Sequence, residues 1–327
     1  MKVLLALHHS FELWTAPEWL GKRLQREFSS LSFVQLEDFH RLSEEIADAE
    51  VFIGWQLRPQ QFEAARNLRW IHATTAAVDQ LMFPELIASD IRLTNSTDIH
   101  GPVVAEHAIA MLFALAKGMP LACKYQTQHR WGQQDLWSSE MRPREVAGST
   151  LGIIGLGAIG RHCVALAKGL GMRVLAVRDH PERGSEGADR VYGTGQLSEM
   201  LAESEYVLLA APLTRKTEAL FNDRTFATMR GDAYFLNVSR GALVDETALE
   251  RALRSNRIRA AALDVFQTEP LPSDSPLWSL ENLLITPHTA ALTDKLWERH
   301  YTRMSENLKR YIGGEPLLGE VDKQKGY

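Results

Sequence analysis

Three stretches of the chain carry polar side chains that can bind a substrate or transfer a proton, and each stretch begins with a short apolar run. "FLNVSRGALVDE" carries Arg240, "AALDVFQTEP" carries Asp264 and Glu269, and "LLITPHTAA" carries His288. Each residue alone has an ordinary structural explanation, since a lone arginine is usually on the surface, a carboxylate after a strand often caps a helix, and a lone histidine is usually structural. Taken together at successive strand ends, where α/β folds bind ligands, they predict an active site.

These residue types suit the reduction of a keto acid. Hydride addition to a C2 carbonyl develops negative charge on its oxygen, so a proton donor must lie close. A histidine supplies that proton near neutrality, and a neighbouring carboxylate orients the ring and raises its pKa. An arginine holds the substrate carboxylate and polarises the carbonyl by forked hydrogen bonds. We therefore predict that His288, Glu269 and Arg240 fill these three catalytic roles.

A glycine-rich turn precedes these stretches. "LGIIGLGAIG" is an apolar strand that runs into Gly155, Gly157, Ala158, Ile159 and Gly160 and opens a helix. The pattern alone is weak, but in this context the glycines permit the turn, the approach of a pyrophosphate and close helix packing. The free N–H groups of the helix start attract the diphosphate. The turn predicts a dinucleotide site.

The end of the following strand bears on the choice of dinucleotide. The sequence there is "MRVLAVRDHP", with Arg178 next to Asp179. Arg178 in the pocket would attract the 2′-phosphate of NADP, whereas Asp179 would repel it and favour NAD. A solvated pair at a strand end is the structural alternative.

The elements that must position these residues alternate between strand and helix, which predicts parallel sheets covered by helices. Strands are predicted at 3–7, 32–36, 51–54, 69–72 and 91–93, and again at 151–154, 173–177, 190–192, 206–210, 233–238, 259–263 and 283–286. Two long helices, at 100–120 and about 293–311, bracket the second set. We therefore predict a doubly wound Rossmann domain over 99–290, inserted in a smaller flavodoxin-like α/β substrate domain of 1–98 and 291–327.

Composition narrows the functional class. A net charge of −5 with scattered basic residues argues against nucleic acid as a partner. No segment was expected to approach the roughly 20 apolar residues of a membrane helix. Cys123 and Cys163 form no CxxC pair, so neither a disulfide framework nor a metal site is predicted, and the cytoplasm is the expected compartment.

Several ordered motifs resemble the D-isomer-specific 2-hydroxyacid dehydrogenases across nearly the whole chain. They are "WIHATTAAVDQL", "LTNSTDIHGPVVAEHAIAML", "GSTLGIIGLGAIGR", "APLTRKTEALF", "NVSRGALVDETAL", "ALDVFQTEPLP" and "TPHTAA". The resemblance implies a discontinuous substrate domain, an inserted Rossmann domain and an active site in the cleft between them. It also implies NAD(P)-dependent reduction of a small 2-keto acid to the D-2-hydroxy acid.

The resemblance assigns roles to matching residues. Arg240 would bind substrate, Glu269 would pair with the catalytic histidine and His288 would be that histidine, itself a substrate contact. Asp264 would lie near the nicotinamide carboxamide, and Pro212 and Thr214 would border the cofactor. The backbone of Ala76 and Ala77 would hold the substrate carboxylate.

Two positions depart from the family pattern. Ala77 stands where the family often has glycine, which would tighten the pocket or shift its N–H groups. Arg178 aligns where NAD-preferring members carry Asp, so we predict that NADP(H) is favoured, with NAD(H) as the alternative.

Trp55 and Leu57, after the third strand, either border the pocket or pack in the core.

The glyoxylate/hydroxypyruvate reductase type is the predicted subclass. Formate-type dehydrogenases carry Gln where this chain has Glu269, and phosphoglycerate dehydrogenases often carry an extra C-terminal domain. A dinucleotide-sensing corepressor is the alternative from another class, and a Rossmann protein without chemistry is disfavoured by the polar strand ends. The segment 125–137, "YQTQHRWGQQDLW", resembles the family's subunit contact and predicts a homodimer.

Overall fold

The computed structural model describes residues 1–326, apart from the side chain of Asp79. It divides into two compact units, one of Met1–His100 with Leu292–Tyr327 and one of Gly101–Ala291. Each unit is built around one parallel sheet. Short 3-10 helices lie in the loops, at Glu12–Trp14, Asp79–Leu81, Pro181–Arg183, Thr194–Gln196, Gly241–Leu243 and Pro276–Ser279.

The first unit contains five strands: β1 (Lys2–Ala6), β2 (Ser32–Gln35), β3 (Val51–Gly54), β4 (Trp70–Ala73) and β5 (Arg92–Thr94). The helices between them are α1 (Glu18–Glu27), α2 (Leu42–Glu45), α3 (Pro59–Ala64) and α4 (Pro84–Ala88). The strands pair in the order β2-β1-β3-β4-β5, which is the flavodoxin-like order. Side chains alternate, so Val3 and Leu5 enter one core cluster while Leu4 and Ala6 enter the other. Both faces of β1 are therefore buried, which explains its unbroken apolar sequence.

The second unit contains seven strands: β6 (Thr150–Ile154), β7 (Arg173–Val177), β8 (Arg190–Tyr192), β9 (Tyr206–Leu209), β10 (Tyr234–Asn237), β11 (Ala260–Leu263) and β12 (Leu283–Ile285). Its helices are α5 (Thr97–Ala116, which starts in the first unit), α6 (Met119–Thr127), α7 (Gln133–Ser138), α8 (Ala158–Gly169), α9 (Leu197–Glu203), α10 (Asp223–Thr228) and α11 (Glu246–Arg254). The strand order β12-β11-β10-β9-β6-β7-β8 reverses between β6 and β9. This is the doubly wound Rossmann arrangement, in which ligands bind at the reversal, and it confirms the predicted fold class.

The two long helices differ from their predicted bounds. Helix α5 begins at Thr97, before the predicted start at 100, and contains Pro102. The predicted segment 100–120 also runs into a second helix, because Gly118, at φ +64°, caps the start of α6. The C-terminal helix α12 (Leu296–Gly313) ends at Gly314, whose left-handed conformation is typical of a helix C-cap.

Helix α5 also bears on whether the chain contains a helix that could span a membrane. Of the described helices, it is the one long and apolar enough to cross a membrane by length and composition. The expectation that no segment approaches this limit was therefore wrong for α5. However, 56% of its most apolar window is buried inside the protein, as in the core helix of a soluble protein. Val104, Ala108 and Leu112 pack in the core cluster of the second unit.

Candidate active site

The predicted glycine turn lies at the reversal point of the second sheet. Gly155 follows β6 at φ +99°, and a Cβ there would lie 2.7 Å from the Ala210 carbonyl oxygen. A Cβ on Gly160 would lie 2.0 Å from the Gly155 oxygen, so both positions require glycine. By contrast, a Cβ on Gly157 would meet nothing within 4 Å. Gly157 caps the start of α8, so open space adjoins the free N–H groups of Ala158 and Ile159, as a diphosphate site requires.

The loop after β9 adjoins this turn. Strands β6 and β9 are paired, and the loop begins at Ala210, against which Gly155 packs. Thr217 braces it by donating a hydrogen bond from Oγ1 to the Pro212 carbonyl oxygen at 2.7 Å and accepting one from the Thr214 N–H at 2.8 Å. The structure therefore brings Pro212 and Thr214 to the same sheet edge as the glycines.

Arg178 directly follows β7, the other neighbour of β6. Its side chain is 16% exposed, its Nη1 donates to the Gly184 carbonyl oxygen at 3.1 Å, and the Glu186 carboxylate lies 3.7 Å away. Asp179 is exposed. Of the predicted pair, Arg178 is thus the residue held in place by the loop that follows β7.

His288 and Glu269 form a direct pair. His288 Nδ1 lies 2.6 Å from Glu269 Oε2, and Glu269 Oε1 accepts a hydrogen bond from the Phe266 N–H at 2.9 Å. Glu269 therefore fixes the ring through Nδ1 and leaves Nε2 as the edge open to a ligand. The His288 side chain is 41% exposed, so that edge is accessible.

Asp264 holds the segment that carries His288. The backbone at His288 is left-handed at φ +53°, and its N–H donates to the Asp264 carbonyl oxygen at 2.9 Å. The Asp264 carboxylate accepts hydrogen bonds from Thr286 Oγ1 at 2.6 Å and from the N–H groups of Thr289 and Ala290 at 2.9 and 3.0 Å. These bonds flank His288 on both sides and maintain its strained backbone.

The environment of Asp264 favours its charged form. Its side chain is only 1% exposed, and burial alone would raise its pKa. Hydrogen bonds from His107, Thr286 and the backbone outweigh burial and hold the pKa below its usual value. The predicted contact of Asp264 with a nicotinamide stays a prediction, since the contacts seen are those that hold the His288 segment.

Arg240 reaches the same sheet edge through a close backbone contact. It follows β10, and a Cβ on the next residue, Gly241, would lie 1.9 Å from the carbonyl carbon of Phe266. Only glycine therefore lets the Arg240 turn approach the β11 loop that carries Glu269. Since β10, β11 and β12 are neighbours, the structure places all three predicted catalytic residues on adjacent strand ends.

In the first unit, the loop after β4 presents backbone N–H groups. Its carbonyl oxygens accept hydrogen bonds from the neighbouring segment. The Thr75 oxygen accepts from the Ser96 N–H at 3.0 Å, and the Ala76 oxygen accepts from Asn95 Nδ2 at 3.0 Å. The Ala77 carbonyl accepts from Thr75 Oγ1 at 2.6 Å. Within the described residues, the N–H groups of 75–77 donate to no other group. A row of free N–H groups such as this Ala76–Ala77 nest can bind an anion.

Three buried histidines lie behind this loop. His72 in β4 bonds through Nδ1 to Thr94 Oγ1 at 2.8 Å, and the rings of His100 and His300 meet edge to face at 5.6 Å. Burial lowers the pKa of His72 to about 3. Burial also lowers the pKa values of His100 and His300, aided by nearby positive charge for His100 and by neighbouring histidines for His300. Burial therefore favours the neutral form of all three rings.

A sequence model of the "D-isomer specific 2-hydroxyacid dehydrogenase, NAD binding domain" matches residues 109–290, more than half of the chain. The chain belongs to the D-isomer specific 2-hydroxyacid dehydrogenases. A glyoxylate reductase of Korarchaeum cryptofilum is 33% identical over 83% of this chain and 82% of its own length. A D-3-phosphoglycerate dehydrogenase of Methanocaldococcus jannaschii is 32% identical, and there the chain spans about half of the relative, 52%.

Solved structures of the family have the same fold. A family protein from Aeromonas salmonicida is 31% identical with a TM-score of 0.82, covering 98% of this chain and 99% of its own. A 2-hydroxyacid dehydrogenase from Xanthobacter autotrophicus, solved with NADPH and MES, is 29% identical with a TM-score of 0.84, covering 100% and 99%. The predicted family, and with it the assignment to NAD(P)-dependent oxidoreductases, is confirmed.

Ala77 replaces the family's frequent glycine without strain. Among the described residues, those other than glycine with positive φ are His129, Glu186, Ala219, Asn256 and His288, so Ala77 is not one of them. Of the other predicted pocket residues, Leu57 is 2% exposed and belongs to the core, whereas Trp55 lines a cavity.

Sequence reasoning missed His107 in this dehydrogenase. Its Nε2 lies 3.1 Å from Thr286 Oγ1 and 3.5 Å from Asp264 Oδ1, so it completes the cluster that holds the His288 segment. The available signal was a polar ring next to Ala108 on the otherwise apolar face of α5.

Proposed function

We propose that this protein reduces a 2-keto acid to the D-2-hydroxy acid with a reduced nicotinamide dinucleotide. The observation that supports this most directly is the 2.6 Å pair of His288 and Glu269, with an exposed imidazole edge on a backbone held by Asp264. A structural histidine would not need an accessible edge and a strained backbone together.

The proposed roles follow from the contacts. His288 donates the proton from Nε2 to the carbonyl oxygen, while Glu269 holds Nδ1 and stabilises the charged ring. Arg240 pairs with the substrate carboxylate and polarises the carbonyl. Ala76 and Ala77 offer their N–H groups to the same carboxylate, so the first unit is the proposed substrate domain. When bound, the reduced nicotinamide supplies the hydride.

The second unit is the proposed cofactor domain. Gly157, Ala158 and Ile159 would hold the diphosphate, because the structure leaves open space beside the helix start. Pro212, Thr214 and Asp264 would border the nicotinamide side. Arg178 would pair with a 2′-phosphate, so NADP(H) is the favoured cofactor and NAD(H) the alternative. Relatives crystallised with NADPH or NADP support this choice.

The test is a kinetic panel of 2-keto acids with NADPH and NADH. Replacing His288 by Gln should lower kcat about 100-fold or more, the usual contribution of a general acid, and Glu269→Gln should shift the pH profile of kcat. His40→Gln, at an exposed position outside the site, is the matched control. An equally active His288→Gln enzyme would contradict the proposal.

The cofactor choice has its own test. Arg178→Ala should raise KM for NADPH more than tenfold and leave KM for NADH nearly unchanged, because only the 2′-phosphate loses a charged partner. A wild-type preference for NADH would refute this reading.

The same assays separate the alternatives. Tight dinucleotide binding without reduction of any keto acid would favour the corepressor-like sensor, whereas oxidation of formate would favour a formate-type enzyme. Two of the curated relatives are named as a glyoxylate reductase and a glyoxylate reductase/hydroxypyruvate reductase, so neither alternative is favoured.

We further propose a cytoplasmic homodimer that contacts through the segment 125–137. Trp131 is 91% exposed and Trp137 62% exposed, and both are favoured interface residues. Light scattering should give twice the 36.8 kDa chain mass, and Trp131→Ser should shift the protein toward monomer. A monomeric wild type would contradict this.

A further inference from the structure

A cavity of about 290 Å³ lies in the first unit, at the carboxyl ends of its central strands. His8–Ser10 and Trp14 line it after β1, Phe39 after β2, and Trp55 with Gln56 after β3. The strand order of this sheet reverses between β1 and β3. The cavity therefore occupies the switch point at which open α/β sheets bind ligands.

Several contacts hold the part of this aromatic cavity that follows β1. The loop after β1 is closed at its base, where the Ala16 N–H donates to the Leu7 carbonyl oxygen at 2.8 Å. His9 Nδ1 accepts a hydrogen bond from the Phe11 N–H at 2.9 Å, which fixes the ring. The His9 ring then meets Trp55 edge to face at 5.5 Å and lies 5.9 Å from the Trp14 ring. A preorganised wall loses little entropy on binding.

The chemistry of the lining selects an uncharged, flat ligand group. The lining contains no Asp, Glu, Lys or Arg, and its polar groups are the imidazoles of His8 and His9, Ser10 and Gln56, so it offers hydrogen bonds but neither a carboxylate nor an ammonium or guanidinium partner to a charged group. Aromatic rings favour offset or edge-to-face contact with another ring. A dry protein cavity of about 150 Å³ already admits benzene, so 290 Å³ accommodates a phenyl or an indolyl group.

The cavity lies one strand away from the Ala76–Ala77 nest. Trp55 directly follows Gly54, whose carbonyl oxygen accepts the Thr74 N–H at 3.3 Å across the β3–β4 pair. Neighbouring strands are about 4.8 Å apart. A 2-keto acid whose carboxylate sits on the nest therefore has its side chain within reach of the cavity, with a methylene between its carbonyl and its ring.

We propose that the aromatic cavity binds the side chain of the substrate, and that the preferred substrates are 2-keto acids with an aromatic side chain. This rests on the proposed function. In the reaction, C2 gains a hydride from the reduced nicotinamide, the carbonyl oxygen gains a proton from His288, and the ring remains unchanged in the cavity. A two-carbon keto acid would leave the cavity unfilled.

The test compares kcat/KM for phenylpyruvate and indole-3-pyruvate with that for glyoxylate. The wild type should favour the aromatic substrates at least tenfold, which departs from the glyoxylate/hydroxypyruvate reductase subclass that the sequence resemblance predicts. Trp55→Ala should lower kcat/KM for phenylpyruvate tenfold or more and change that for glyoxylate less than threefold. Ser10→Phe should give the same pattern by filling the cavity, at an exposed position that tolerates substitution. Trp19→Ala, on α1 outside the cavity, is the matched control and should change neither.

Calorimetric titration with 3-phenyllactate separates this inference from the proposed function. If 3-phenyllactate binds and both Trp55→Ala and Ser10→Phe weaken its binding, the aromatic cavity is supported as the side-chain site. This holds even if no keto acid is reduced. The absence of reduction would overturn the proposed function alone. Reduction of glyoxylate as efficiently as phenylpyruvate, with both variants lowering the two equally, would overturn the inference alone. A clear preference for dicarboxylic keto acids would also overturn it.

Discussion

Acidification should destabilise this protein through its three buried histidines. His72 has a pKa of about 3 when folded and about 6.5 when unfolded. The unfolded chain therefore binds the proton first, so stability is fully present above pH 6.5 and falls as the pH drops below it. The pKa shifts of His100 and His300 have the same direction and add to the loss.

The size of this stability loss is set by protonation of the histidine in the unfolded chain. Lowering the pH from 7.0 to 5.5 should cost about 1.3 kcal/mol of unfolding free energy for His72 alone. Near pH 5.5 its contribution to the slope of stability against pH is about 1.2 kcal/mol per pH unit. The same slope is expected for any folded-state pKa of His72 well below 5.5, so the predicted slope does not depend on how far the pKa is lowered.

Urea unfolding followed by circular dichroism between pH 5 and 8 measures this slope. His72→Gln should flatten it by about 1.2 kcal/mol per pH unit even if the variant is less stable overall. His40→Gln, an exposed control, should leave it unchanged. An unaltered slope in His72→Gln would refute the reasoning that this ring is buried in its neutral form.

Three further predictions concern the second unit. Gly157→Ala should keep the wild-type Tm yet weaken NADPH binding at least tenfold by calorimetry, because its Cβ meets no protein atom and enters the proposed diphosphate space; Gly169→Ala is the control, and unchanged binding would contradict the site. Asp264→Asn should lower stability by about 1–3 kcal/mol in urea unfolding, since an amide cannot accept all of the hydrogen bonds that the carboxylate does, and should reduce kcat more than KM; wild-type stability would contradict its holding role. Gly241→Ala should destabilise the fold strongly by thermal unfolding, because its Cβ would overlap the Phe266 backbone; a wild-type Tm would disprove that contact.

Most of the sheet structure was predictable because both faces of each sheet are covered. Strands buried on two sides read as continuous apolar runs, and the predicted bounds of 51–54 and 173–177 match the structure. The bounds of the edge strand at 190–192 also match, although Arg190 in it is exposed. The predicted start of α5 at residue 100 was wrong: proline favours the first turn of a helix, but Thr97 begins this helix five residues before Pro102.

The candidate site was predictable only in part. Residue type and strand-end position pointed to His288 and Glu269, which the structure pairs directly. Strand-end position could not reveal that Asp264 is bonded to both sides of the His288 segment, or that His107, some 180 residues earlier, joins it. Such contacts depend on which elements pack together, and that information is spread over the whole chain.

The setting of Arg178 has a consequence for evolution. Its neighbours Gly184 and Glu186 belong to the exposed stretch 181–187 of the loop between β7 and β8. On the proposed role of Arg178, substitutions at these exposed positions would change the coenzyme preference with little effect on the fold. Coenzyme preference would then evolve separately from the proposed catalytic residues at the ends of β10, β11 and β12.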